Sequence, residues 1–167
     1  MLLETERLVL RRVESGDVDD LVALHADAEV RRFIPSAADF DPGMALARVT
    51  ADAEDWDAGR RMLIACERAG GRFLGRVGIL DWPQFGETEV GWIFAADARG
   101  HGYATEAGGA AQEWAFEHLE IPYVTALIRP DNQPSIAVAE RLGMAPLRND
   151  ELFGVPVIVY ARYAGAA

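Results

Sequence analysis

Arg99, Gly100, His101, Gly102, Tyr103, Ala104, Thr105, Glu106 and Ala107 join an apolar run, Val90-Gly91-Trp92-Ile93-Phe94, to a long Ala-rich segment ending near Leu119. Strand, glycine loop and helix start, in that order, make an anion site. The first turn of a helix has unpaired backbone N–H groups, and the macrodipole adds about half a positive charge there. Gly100 and Gly102 lack a Cβ, so backbone can approach a ligand closely and take a positive φ. A diphosphate suits such a loop. A P-loop needs Gly-Lys-Ser/Thr at the helix start, which is missing here, and a dinucleotide fingerprint needs a third glycine where Thr105 stands. What remains is Arg-x-x-Gly-x-Ala, read at Arg99, Gly102 and Ala104. A glycine-rich turn that merely enters a helix would look the same.

A second constellation lies one helix and one strand further on. Asn132-x-x-Ser135 is followed by Glu140-Arg141-Leu142-Gly143-Met144. Asn132 suits an N-cap, Pro134 is tolerated in a first turn, and Gly143 suits the C′ position. Capping explains Asn132 and Gly143; their place in the chain also suits the second half of a cofactor site. Cys66 sits in a strand-like run after Met62, Leu63, Ile64 and Ala65, and reads as a buried structural thiol, not a nucleophile.

These residues need a framework, and the composition allows one. The 167 residues are half hydrophobic, enough for one domain with a real core. One cysteine rules out an internal disulfide, and no apolar run is long enough to span a bilayer. With no secretory leader read at the start, a cytoplasmic location without membrane attachment is expected. The net charge of −11 argues against nucleic acid as a partner and would attract cationic amines; solubility alone also accounts for it.

Taken in order, the chain predicts a strand over 7–13 and a helix capped by Ser15 or Asp17. That helix carries Val18, Leu21, Val22 and Leu24 on its apolar stripe and runs to about Ala28. A second helix starts at Pro42, with Met44, Leu46, Val49, Ala53 and Trp56 on one side and Gly59 at its end. Phe33, Ile34 and Phe40, between the two, are a candidate wall for an acceptor pocket. Strands over 62–67, 72–80 and 88–94 form an antiparallel meander, with Gly70-Gly71 as one turn and Trp82 to Gly86 as a longer loop. The helix after the glycine loop has small residues at Ala104, Ala107, Gly108 and Ala111 for close approach to the sheet. Strands over 123–128, 145–148 and 155–163 complete the chain, with the Asn132 helix after the first of them.

Together the two constellations resemble the GNAT superfamily of acetyltransferases. The start, Thr5-Glu6-Arg7-Leu8-x-Leu10-Arg11, and Glu89-Val90-Gly91-Trp92 are similar to its RimJ/RimL-type branch, the ribosomal-protein N-terminal acetyltransferases and relatives. The resemblance implies an α/β fold: a mixed, mostly antiparallel, bent sheet of about seven strands with helices on both faces. It implies acetyl-CoA as co-substrate, no metal, and an amine acceptor, either a peptide N-terminus or a small molecule; a homodimer is left open. Two strands, here 88–94 and 123–128, splay to admit acetyl-CoA. Pyrophosphate contacts carry over to Arg99, Gly100, His101, Gly102, Tyr103 and Ala104, with Thr105 adjacent. Pantetheine contacts carry over to backbone near Phe94 and Ala96, and to Asn132 with Ser135 beside it.

Direct acetyl transfer to an amine needs a neutral amine, a donor for the developing oxyanion and a proton for the leaving thiolate. A backbone N–H near Ile93 or Phe94 suits the oxyanion. Glu89 is the candidate base, since the family often uses a Glu there; Glu87 and Glu106 are weaker candidates. Many family members place a Tyr four residues after the Ser135 position as proton donor, but here that residue is Ala139. Ser135 inherits the role in the RimJ/RimL-type branch, with Tyr160 in reserve. Two readings stay open: an N-acetyltransferase, or a catalytically silent acyl-CoA-binding domain on the same fold. A nicotinamide-dependent oxidoreductase fails on the absent third glycine and the antiparallel strands.

Overall fold

The computed structural model describes residues 3–34, 41–54, 61–83 and 85–165. Its strands are β1 (Leu3–Glu4), β2 (Leu8–Arg11), β3 (Arg61–Glu67), β4 (Phe73–Trp82), β5 (Glu87–Phe94), β6 (Tyr123–Ile128), β7 (Ala145–Leu152) and β8 (Val155–Tyr163). Its helices are α1 (Val18–Ala26), α2 (Ala28–Phe33), α3 (Pro42–Glu54), α4 (Tyr103–His118) and α5 (Gln133–Arg141). The strands form one eight-stranded sheet in the order β1-β2-β3-β4-β5-β6-β8-β7. The expected seven becomes eight because two-residue β1 pairs with β2; it is too short to show a period. All neighbours are antiparallel except β5 and β6, which are parallel and share one registered pair, Glu89 with Thr125.

Alternation along the strands sends side chains to two cores. Leu8, Leu10, Leu63, Ala65, Val90 and Phe94 pack with Ala107, Ala111 and Ala115 of α4. Ile64 and Cys66 point to the other face, against Leu21 of α1 and Ala45 and Val49 of α3. The helices therefore lie on both faces, and Cys66 is buried. Gly108 on α4 sets a close approach to the end of α5 and an ordinary one to β5: a Cβ there would come 3.0 Å from Leu142 Cδ1 and 3.7 Å from Trp92 Cε3.

Beside β5 the sheet is bent by a bulge. Ala65 pairs with Gly75, but Cys66 pairs with Phe73, so β4 holds an extra residue at Leu74. Leu74, Val77 and Ile79 all face the α4 side, which is possible only if the alternation slips once between them. Gly75 opposes Phe94, and a Cβ there would fall 2.2 Å from the Ile93 carbonyl oxygen.

Several boundaries differ from the sequence expectation. The strand expected over 7–13 is β2, Leu8–Arg11 alone. The first helix breaks at Asp27, whose side chain caps α2 by accepting from the Glu29 and Val30 amides. Within α3 the buried pair is Ala45 and Val49, while Met44 and Leu46 are exposed; the stripe facing α1 is the i, i+4 pair. Ala53, Trp56 and Gly59 lie where side chains or backbone are outside the described residues, as does Phe40. Trp82, expected in a loop, ends β4 opposite Glu87. β7 runs on to Leu152, closed by a two-residue turn at Phe153 (φ 51) and Gly154 (φ 80). Both angles are positive, as a type I′ hairpin requires.

Candidate active site

The glycine loop leaves β5 through a tight turn at Ala96–Ala98 and enters α4 at Gly102. Gly100 and Gly102 both have φ 80, the left-handed region that an L side chain disfavours. Gly102 is the N-cap of α4, and no side chain among the described residues caps that end. The first-turn N–H groups, those of Tyr103, Ala104 and Thr105, have no helical carbonyl to reach. Among the described residues nothing lies within 4 Å of where a Cβ at Gly100 would sit. An uncapped helix start with open space beside it fits a diphosphate.

Side chains hold this loop rather than fill it. Arg99 donates from Nε to the Phe94 carbonyl at 3.0 Å and from Nη2 to Asp27 Oδ1 at 2.7 Å. Its guanidinium thus bolts the loop to the cap of α2. Burial raises the Asp27 pKa, but the hydrogen bond from Arg99 and two backbone amides outweigh it and hold the carboxyl low. Arg7, which sequence reasoning gave no part in the loop, donates to the His101 carbonyl and to Glu106, and its guanidinium lies 4.7 Å from the Tyr103 ring centroid. Glu106 also accepts from Thr5. Burial alone would raise its pKa, but these donors pull it below the usual carboxylate range. Glu106 therefore fastens the N-terminal segment to α4 and is poorly suited as a base. Tyr103 OH donates to Glu67 at 3.3 Å, while the His101 side chain is exposed.

Past the Glu89–Thr125 pair the strands β5 and β6 part. The Thr125 hydroxyl donates to the Thr88 carbonyl at 3.3 Å, a second tie beside that pair. Above it, the Leu127 amide donates to Glu89 Oε1 at 3.3 Å, a side chain, not the backbone of β5. Trp82 Nε1 donates to Oε2 of the same carboxylate at 2.7 Å. Glu89 thus bridges the splay. Burial pushes its pKa up, with the Trp82 and Leu127 hydrogen bonds opposing only in part. Val90 and Phe94 face α4, whereas Ile93 packs on Leu24 and Val30, so Glu89 and Gly91 share the α1–α2 face with Ile93.

Glu87, two residues earlier on that face, is buried and paired to Arg148 at 2.6 Å. Tyr160 is buried among Ala126, Ala139 and Met144, and burial with the nearby Glu140 charge raises its pKa. Neither lines the opening as Glu89 does.

Asn132 and Ser135 stand where β6 gives way to α5. Asn132 Oδ1 accepts from the Ser135 amide at 3.2 Å, which leaves its side-chain NH2 without a partner among the described residues. The Ser135 hydroxyl likewise has no partner among them, and the residue is half-buried. The turn before α5 is tied to α2: Arg129 donates to the Arg32 carbonyl at 2.9 Å and Arg32 pairs with Asp131. α2 is therefore held from both sides, by Arg99 and by Arg129. Ile34, just after α2, packs on the Leu24–Val30 cluster as Ile93 does, while Phe33 lies under Arg32 and Arg129.

Comparison with known proteins agrees with this geometry. The family model of the acetyltransferase (GNAT) domain matches residues 7–145. The uncharacterized protein YkkB of Bacillus subtilis is 31% identical over 168 residues, 96% of this chain and 94% of that one. The crystal structure of an acetyltransferase from Agrobacterium tumefaciens superposes with a TM-score of 0.82 at 29% identity, covering 98% of this chain and 95% of that one. RimL, a ribosomal L7/L12 α-N-protein acetyltransferase solved with coenzyme A, superposes with a TM-score of 0.81, covering 98% of each chain; at 17% identity it supports the fold alone. A bent sheet splayed between two parallel strands, an uncapped helix start at the wide end and a family match across most of its length lead to one conclusion: this chain belongs to the GNAT acetyltransferase family.

Proposed function

We propose that the whole chain acts as one N-acetyltransferase domain of the RimJ/RimL-type branch, moving an acetyl group from acetyl-CoA directly to a primary amine. The amine is a protein N-terminus or a small molecule. The observation that carries this reading is the splay: one registered pair below, Glu89 spanning it, and the uncapped start of α4 at its open end. Bound acetyl-CoA supplies an activated acetyl thioester. Backbone N–H groups over Gly100, His101, Gly102, Tyr103, Ala104 and Thr105 hold its diphosphate, with Arg99 and Arg7 fixing the loop. Backbone near Phe94 and Ala96 and the free amide nitrogen of Asn132 hold the pantetheine arm.

Glu89 holds the acceptor's ammonium group and takes its proton, directly or through one water. Its raised pKa brings it nearer to neutral pH, where general bases work best. Ser135, its hydroxyl uncommitted, gives a proton to the leaving sulfur. The Glu89→Gln variant tests the base. An α-amino group titrates near ~8, so below that pH most acceptor is protonated and needs the base. The variant should lose kcat/KM most near neutral pH, and the deficit should shrink as the pH rises. Parallel profiles with equal rates would remove Glu89 from the reaction. A second reading has support in the hydrogen bonds on both Glu89 oxygens: they also suit a structural wedge in a domain that binds acyl-CoA without turnover. Release of free thiol that depends on added amine separates the two.

A further inference from the structure

The Glu89 carboxylate is gripped by residues from two other strands. Trp82 belongs to β4 and donates to Oε2 at 2.7 Å; Leu127 belongs to β6 and donates to Oε1 at 3.3 Å. Trp82 is the register partner of Glu87, so its indole reaches Glu89 along the diagonal. Only a long side chain spans that distance, about 7–8 Å between such positions. The indole is itself braced. Phe85 lies 6.4 Å away, and Phe153 meets it edge-on at 6.0 Å. Phe153 sits at the tip of the β7–β8 turn with φ 51, a conformation uncommon for an aromatic residue, and is otherwise 76% exposed.

Resting on the reading of Glu89 as base, we propose that Trp82 is a positioning residue: its indole N–H fixes the Glu89 carboxylate with free lone pairs turned to the splay. An ionised carboxylate offers about four acceptor sites, and the two hydrogen bonds use one on each oxygen. One on each remains for an ammonium or a bridging water. An indole N–H only donates, and its hydrogen bond to an ionised carboxylate is stronger than one to a neutral carboxyl. It therefore favours the ionised form, the one a base requires, against the burial that opposes it. A ring without the donor would leave the carboxyl held by the Leu127 amide alone and protonated to higher pH.

Trp82→Phe keeps a ring and removes the donor. The chain has four tryptophans, so the Trp82 indole ¹H–¹⁵N signal is assigned by its loss in this variant. In the wild type that signal should move with pH in one step, and Glu89→Gln should abolish the step. In ¹³C-glutamate-labelled protein the Glu89 carboxyl, identified by its loss in Glu89→Gln, should titrate about one pH unit higher in Trp82→Phe. Activity is read with a Ser-initiated hexapeptide, spermidine and L-phenylalanine as acceptors. On the acid limb kcat/KM should fall about tenfold as the limb moves up with the carboxyl, and KM for acetyl-CoA should stay put. Added to Glu89→Gln, Trp82→Phe should change the rate less than about twofold. An unmoved Glu89 titration, or defects that multiply in the double variant, would overturn the proposal. So would a Glu89→Gln defect beside a wild-type Trp82→Phe profile, which leaves the base reading intact. A wild-type profile for Glu89→Gln would remove the base reading and this one with it.

Discussion

Replacing Gly102 with Glu puts a charge and a side chain at the mouth of the proposed diphosphate site. Two costs are separable. The first is conformational. Gly102 has φ 80, and an L residue there costs about 1–2 kcal/mol of stability. At the size of this chain each kcal/mol lowers Tm by roughly 2–4 °C. The second is electrostatic. A carboxylate about 5 Å from a diphosphate of two charges is repelled by about 1.7 kcal/mol even at the dielectric constant of water, and by more near the protein. One effect opposes it: a built Cβ at Gly102 lies 3.4 Å from Arg7 Nη2, so the new carboxylate gains an exposed ion pair. Such pairs contribute about 0.2–1 kcal/mol, too little to cancel the repulsion near protein. Acetyl-CoA affinity by isothermal titration should fall about tenfold. Gly102→Ala, with the same backbone cost and no charge, should stay within about threefold of the wild type. The gap between the variants should narrow at high salt. Equal affinities for folded Gly102→Glu and Gly102→Ala would refute the placement of the diphosphate.

Ser135→Ala removes the proposed proton donor and leaves the Asn132 cap in place; kcat should drop roughly ten- to a hundredfold with acetyl-CoA binding unchanged, and a kcat within twofold of wild type would leave Ser135 a first-turn residue only. Gly75→Ala drives a Cβ to 2.2 Å from the Ile93 carbonyl and 2.8 Å from Phe94 Cα, both backbone. Thermal unfolding should show a loss of more than about 2 kcal/mol, because neither strand can yield without breaking the β4–β5 ladder. A Tm within about 2 °C of wild type would show that the bulge has slack.

The glycine loop was legible because its chemistry is local. A strand, two glycines and an Ala-rich helix lie next to one another in the chain, and both glycines adopt the positive φ their type allows. The α5 cap was legible for the same reason. The register-dependent contacts were not. Trp82 reads as loop because Pro83 follows it, yet β4 carries it to the end of the ladder opposite Glu87. Its bond to Glu89 depends on that register, which no local pattern states. Asp27 belongs to a stretch that looks like one continuous helix; only its capping of α2 and its pair with Arg99, far along the chain, reveal the break. Glu106 reads as a weaker candidate base until Thr5 and Arg7, next to β2, reach it and tie it down. Met44 and Leu46 read as part of the apolar side of α3, yet both are exposed, and Ala45 and Val49 are the residues that pack with Leu21 of α1.

The central claim, direct acetyl transfer to an amine in the splay, is tested most directly by incubating the wild-type chain with isotope-labelled acetyl-CoA and a panel of peptide and small-molecule amines. Free thiol is followed while the acceptor is weighed by mass spectrometry. The account predicts thiol release that depends on the amine and matches, mole for mole, a product carrying the labelled acetyl group on nitrogen. Acetyl-CoA that binds but is never consumed with any amine, or label that ends on the protein instead of the acceptor, would contradict it.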